Sequence, residues 1–316
     1  MPRPALGYCR IVLAIAKGHG LGNDYLVVRG ADLPDGTLTP EAAVRLCDRH
    51  RGVGADGVLV HEPSARADVG VRIFNPDGSE AEKSGNGLRV FAAWLWTNGL
   101  APRPAFTVET LGGMVTCECR VVGGRVEAIT IEMGAACFAA EAIPMCGVTG
   151  DAVGVPLELR GGERLVVTAL TVGNPHCVVF EDAPSEVRCR LLGPEIERHA
   201  AFPRRTNVQL AQVVDARRID VQVWERGAGY TLASGTSSCA VAAAAVRTGR
   251  VAPGAIDVRM PGGTLVVHVR DDWSIRLEGP AVLVFEGRLA PAFADEVLRA
   301  SPGSSSRASR DGRPGS

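Results

Sequence analysis

Two short segments carry a serine where a hydroxyl is placed to do chemistry. Ser84-Gly85-Asn86-Gly87 opens onto the apolar run Leu88-Arg89-Val90-Phe91-Ala92-Ala93-Trp94-Leu95. Ser234-Gly235-Thr236-Ser237-Ser238 opens onto Cys239-Ala240-Val241-Ala242-Ala243-Ala244-Ala245-Val246. A serine in front of a helix is an ordinary cap, and capping alone would explain either segment. Two such turns, one in each half of the chain, suggest duplicated domains whose helix N-termini face one another. The free N–H groups and partial positive charge of a helix N-terminus favour a carboxylate, so two converging ends would grip one strongly. The same field would stabilise the negative charge that builds when a proton leaves the adjacent carbon. A side chain at the start of each helix would then stand on either face of that carbon, one removing a proton and the other returning one. Such a pair inverts a stereocentre without pyridoxal phosphate.

The elements that must hold these turns are mostly strands. Short runs rich in Val, Ile and Thr and bounded by Gly, Asp or Pro read as strands at 25–28, 57–60, 126–133, 166–172 and 265–269. Helical patterns are fewer, at 39–49 with Thr39 as cap and Pro40 in the first turn, 88–97, 239–247 and 291–298. Many strands with few helices predict an α+β fold of antiparallel sheets rather than alternating βαβ units.

The 316 residues suit two domains, each with its own core. Lys and Arg number 34 against 35 Asp and Glu, so no global field draws in nucleic acid or an anionic membrane, and the expected partner is a small molecule. Nine cysteines, an odd number with no zinc-type pair of CxxC motifs, read as reduced cytosolic thiols; no metal site is expected. The apolar run at 11–16 is too short for a signal peptide, and no stretch reaches the ~18 to 20 apolar residues of a membrane span. Residues 301–316, rich in Ser, Gly, Arg and Pro, read as a disordered tail.

Several longer blocks, in order, resemble the diaminopimelate epimerase family. They are Lys17-Gly18-His19-Gly20-Leu21-Gly22-Asn23-Asp24-Tyr25, Arg51-Gly52-Val53-Gly54-Ala55-Asp56-Gly57, and the segment Phe74 onward through Asn75, Ser84 and Arg89. In the second half they are Gly173-Asn174-Pro175-His176-Cys177, Thr206-Asn207-Val208, and Trp224-Glu225-Arg226-Gly227-Ala228-Gly229 onward through Ser234-Gly235-Thr236. The resemblance runs from about Lys17 to Leu289 and implies a cofactor-independent isomerase. It implies two similar α+β domains, each a curved sheet around a central helix, with the site in the cleft between them. The domains would be 1–134 with 279–300, and 135–278, the final strand at 281–286 returning to the first.

The resemblance further implies that Asn23, Asn75, Asn174, Asn207, Glu225 and Arg226 line the substrate pocket and recognise the second amino-acid end of diaminopimelate. Gly85-Asn86 and Gly235-Thr236 would offer backbone amides to the carboxylate being turned over, and His176 would tune the acid or base beside the reacting carbon. Each has a plainer explanation alone: Asn before Asp or Pro is a turn former, and Glu225-Arg226 would be surface charge. Asp48, Arg49 and His50 read as the end of a helix rather than a catalytic cluster, Cys239 as packed, and Tyr230 as a residue able to reshape the pocket. The implied protein is cytoplasmic, with a homodimer as a possible assembly.

Ser84 and Ser234 depart from the family, whose matching residues are cysteines acting as a thiolate and thiol pair. A thiol ionises near ~8.5 and an alcohol near ~15.7, a difference worth on the order of 10 kcal/mol. Three readings follow: the serines are relays activated by His176 or Glu225; the substrate has a more acidic C–H, as for an isomerase or tautomerase of specialised metabolism; or the site binds its ligand without turning it over.

Overall fold

The computed structural model describes residues 13–299; the tail expected at 301–316 and the start of the apolar run at 11–16 lie outside them. The first half runs β1 (Ala14–Gly20), β2 (Asn23–Arg29), α1 (Pro40–Cys47), β3 (Val58–Glu62), β4 (Val69–Phe74), β5 (Glu80–Ala81), α2 (Gly85–Thr97), β6 (Ala105–Thr110), β7 (Gly113–Val122) and β8 (Arg125–Ala135). The second runs β9 (Val155–Glu158), β10 (Arg164–Thr171), β11 (Pro175–Phe180), α3 (Glu186–Glu197), β12 (Asn207–Asp215), β13 (Arg218–Glu225), β14 (Gly229–Thr231), α4 (Gly235–Arg247), β15 (Gly254–Met260), β16 (Gly263–Val269) and β17 (Ser274–Gly279). β18 (Val282–Arg288) and α5 (Pro291–Leu298) follow.

The duplication suggested by the two serine turns extends to strand pairing. From β1 to β8 the neighbours go antiparallel β1–β2, parallel β2–β3, antiparallel β3–β4, parallel β4–β6, then antiparallel β6–β7 and β7–β8. From β10 to β17 the same sequence of senses recurs in β10–β11, β11–β12, β12–β13, β13–β15, β15–β16 and β16–β17. α1 and α3 stand at corresponding places, as do α2 and α4. The fold is therefore α+β in two similar halves, each a mostly antiparallel sheet around one helix. β8 and β17 pair antiparallel, with Ile131 opposite Leu277, and join the halves. β18 crosses back to pair with β1, Ala14 lying opposite Arg288.

Apart from Arg89 and the polar residues of their end turns, the two central helices are apolar on every side because they are enclosed on every side. Every residue of α2 from Gly85 to Leu95 is buried, and α4 is buried from Ser237 to Ala245. Their side chains belong to one continuous core with both sheets, while α1 with α5, and α3, cover separate apolar clusters on the outside. Both central helices start earlier than the apolar runs suggested, at Gly85 and Gly235, because the small polar residues after each serine already belong to the first turn. α3 was not expected: Gly193-Pro194 reads as a helix breaker, yet Pro194 sits inside the helix, and Gly193 packs on Trp224. No helix among the described residues is long and apolar enough to cross a membrane.

Candidate active site

Ser84 and Ser234 occupy the same position in the two halves, each the N-cap of its central helix in nearly the same extended conformation, φ −139° and ψ 115° against φ −147° and ψ 126°. Ser84 Oγ accepts from the Gly87 N–H at 3.0 Å, and Ser234 Oγ from the Ser237 N–H at 3.4 Å. The helix starts abut. A Cβ placed on Gly235 would lie 2.9 Å from Leu277 Cδ2 and 3.9 Å from the Gly85 Cα. Glycine at these positions lets two N-termini share one cavity of about 450 Å³ that opens to solvent. Its walls bring together the predicted Asn23, Asn75, Ser84, Gly85, Asn86, Asn174, Glu225, Ser234, Gly235 and Thr236.

The two hydroxyls have different neighbours. Ser84 Oγ lies 2.9 Å from the hydroxyl of Tyr25, a residue only 8% exposed, whose phenol burial pushes up to about 12, the Ser84 hydrogen bond partly opposing. Ser234 lies beside the Glu225 carboxyl, whose pKa burial raises while the serine hydroxyl opposes. One serine therefore faces a neutral phenol and the other a carboxylate of raised basicity.

Three predicted residues do not line the cavity. His176 on β11 is fully buried, with Nε2 2.8 Å from Asn174 Oδ1 and Nδ1 3.1 Å from Gln209 Nε2. Gln209 Nε2 donates in turn to Ser237 Oγ at 2.9 Å. Burial lowers the imidazole pKa to about 3, so it is neutral. With Nδ1 accepting from Gln209, Nε2 carries the hydrogen and donates to Asn174, a residue of the cavity wall. Asn207 spends its amide on the Pro175 carbonyl at 2.9 Å and the Arg226 N–H at 2.9 Å, tying the chain between them. The exposed Arg226 side chain donates to the Arg204 carbonyl. Tyr230 also points away, donating to Gln222 at 2.7 Å beneath the Arg190 guanidinium.

Tyr25, Asp56, Lys83 and Thr231 line the cavity without having been singled out from the sequence. All fall within or beside the blocks quoted above, so position within those blocks was the available signal. Asp56 receives the Asn23 amide at 2.8 Å and Arg49 at 2.7 Å. The Arg49 side chain, expected as helix-end charge, thus braces the rim by holding Asp56 and Asp24 together. Cys239 is fully buried, as expected, and none of the eight described cysteines is paired. No cluster of three or more His, Cys, Asp or Glu side chains suited to a metal occurs among the described residues.

The model of a family described as diaminopimelate epimerase matches residues 15–139 and 168–284. The chain is 45% identical to the diaminopimelate epimerase of Desulforudis audaxviator over 282 residues, covering 87% of this chain and 99% of that one. It is 44% identical to diaminopimelate epimerase 2 of a Nostoc species over 285 residues, covering 89% and 98%. Among solved structures, a hydroxyproline epimerase from Agrobacterium vitis superposes with a TM-score of 0.65 at 17% identity, covering 90% of this chain and 93% of that one. A methylitaconate-delta-isomerase does so with 0.65 at 14%, covering 93% and 98%. At such identities these two speak for the fold alone.

Proposed function

Because the chain belongs to the diaminopimelate epimerase family, we propose that it inverts the α-carbon of diaminopimelate or a closely related amino acid by cofactor-independent, two-base proton transfer. The names of its curated relatives support an epimerase. The observation that carries the finer reading is that Ser84 and Ser234 cap two helices whose N-termini open into one cavity.

Glu225 removes the main objection to serine. An isolated alkoxide would be out of reach at neutral pH, but Ser234 need not become one. As its Oγ takes the proton from Cα, its own hydroxyl proton passes to the Glu225 carboxylate, and the electron pair stays on the carbon, spread toward the α-carboxylate. That charge lies at the helix N-termini, where free N–H groups stabilise it. On the other face, Ser84 Oγ, held by the Gly87 N–H, gives its hydrogen to the carbon while taking the Tyr25 hydroxyl proton, so the charge left behind rests on the phenolate and no serine alkoxide forms. His176 takes no part in the transfer; it holds Asn174 at the cavity wall.

Proton NMR in D2O of LL- and meso-diaminopimelate with the purified chain tests this reading. Loss of the α-proton signal above a protein-free control is the expected result. Binding without any loss would sink the serine mechanism for this substrate and favour either a substrate with a more acidic C–H or a site that only binds.

A further inference from the structure

Arg89, five residues after Ser84 on α2, is fully buried, and no carboxylate pairs with it among the described residues. Its guanidinium donates to the carbonyls of Pro280 at 3.3 Å and Gly85 at 3.4 Å, and to Asn86 Oδ1 at 2.8 Å. The fold makes room for it. A Cβ on Gly20 would lie 2.8 Å from Nη2, and one on Gly279 would lie 3.3 Å from Nε. Burial lowers its pKa to about 10, which still leaves it charged at neutral pH.

Enclosing a charge with only neutral partners is costly and is seldom kept for stability, since an apolar side chain of similar length serves the core better. Its surroundings point one way. Asn86, its shortest contact, is in the first turn of α2 and lines the cavity. Asn86 donates to Asn23 at 3.0 Å, and Asn23 to Asp56, whose charge Arg49 meets. Of the acidic groups of the walls, Asp56 is met by Arg49, and Glu225 lies beside Ser234 of the other half rather than against Arg89. Lys83, the wall's own cation, donates to the Glu132 carbonyl at 2.8 Å.

Resting on the amino-acid reading of the site, we propose that Arg89 is its electrostatic positioning residue, a buried cation whose counter-ion is the carboxylate of the amino acid being turned over. Acting through Asn86 and the first turn of α2, it adds a full positive charge to the partial charges of two helix ends. Its attraction grows as the carboxylate accepts further charge from the deprotonated carbon. In a water-poor interior this field is little weakened by salt.

The test is calorimetric titration of the full chain with LL-diaminopimelate and with its dicarboxamide, using Arg89→Met and Arg89→Lys. Arg89→Met is expected to weaken diaminopimelate on the order of 30-fold and Arg89→Lys by less than about tenfold, with the dicarboxamide indifferent to both. Equal losses for the acid and the amide would mean a structural role and overturn the proposal, as would retention of full affinity by Arg89→Met. Absence of diaminopimelate binding by the unaltered chain would instead overturn the amino-acid reading beneath it. Should Arg89→Met not fold, unaltered protein labelled with 15N-arginine answers the same question. The protected Nε–H resonance missing from Arg89→Lys should shift with diaminopimelate and not with the dicarboxamide; a resonance that both ligands leave in place overturns the role of Arg89.

Discussion

The two serines do two jobs with one oxygen each. As caps, they satisfy a helix N–H, a role worth about 1 kcal/mol apiece; as reacting groups, they depend on whatever holds the rest of the hydroxyl. Tyr25 and Glu225 make the pair chemically unequal, although their backbones are alike. If the missing thiols are what limits the rate, Ser84→Cys with Ser234→Cys should raise epimerisation by orders of magnitude, because the base no longer needs a relay. In the serine background Tyr25→Phe should lower kcat about tenfold with KM within about twofold, and in the cysteine background that cost should vanish. A Tyr25→Phe penalty of equal size in both backgrounds would mean that the phenol merely packs. The sequence blocks supply both serines and most of the residues that line the cavity, whereas the side chains of His176, Asn207 and Arg226 bond elsewhere; chain neighbourhood with site residues does not say whether a side chain turns toward the cavity or into the sheet.

Among the elements, the central helices were legible because an unbroken apolar run with a serine at its head admits few other structures. α3 was not, and its counterpart α1 shows why. Thr39-Pro40 announces α1, whereas α3 hides a serine cap behind Pro184 and carries Gly193-Pro194 in its body. Only the fold reveals that Gly193 is small for a reason: a Cβ there would meet the Trp224 ring at 2.5 Å. The Trp224 indole in turn donates to Glu197 at the end of the same helix at 2.8 Å. Gly193→Val should therefore destabilise the fold by about 1 to 3 kcal/mol through overpacking, read as a lower urea midpoint. Trp224 directly precedes Glu225, so the same variant should lose activity before it unfolds; unchanged stability would show that the indole moves aside freely.

For the whole molecule, the sequence suggested a duplicated α+β fold, and the repeated order of parallel and antiparallel pairings bears this out. A global consequence follows from the histidine behind the site. His176 protonates near 6.5 when the chain is unfolded but only near about 3 when folded, burial being the cause. Between those values the unfolded state binds the extra proton, so stability should be complete above about pH 6.5. It should fall by about 1.4 kcal/mol for each unit of acidification toward pH 3. Urea unfolding followed across that range should show the slope, and His176→Gln should flatten it; a slope untouched by that change would mean that other groups carry the acid sensitivity.

The return of β18 to β1 also governs when the molecule becomes whole. β1 finds one neighbour at once in β2, but the strand on its other side is synthesised only after the entire second half of the sheet. The same crossing carries Pro280, whose carbonyl holds Arg89 beneath the first serine turn. A ribosome that has made all of α2 has therefore not yet supplied the backbone that steadies it. The half of the site encoded first is finished last, when the end of the chain closes over its beginning.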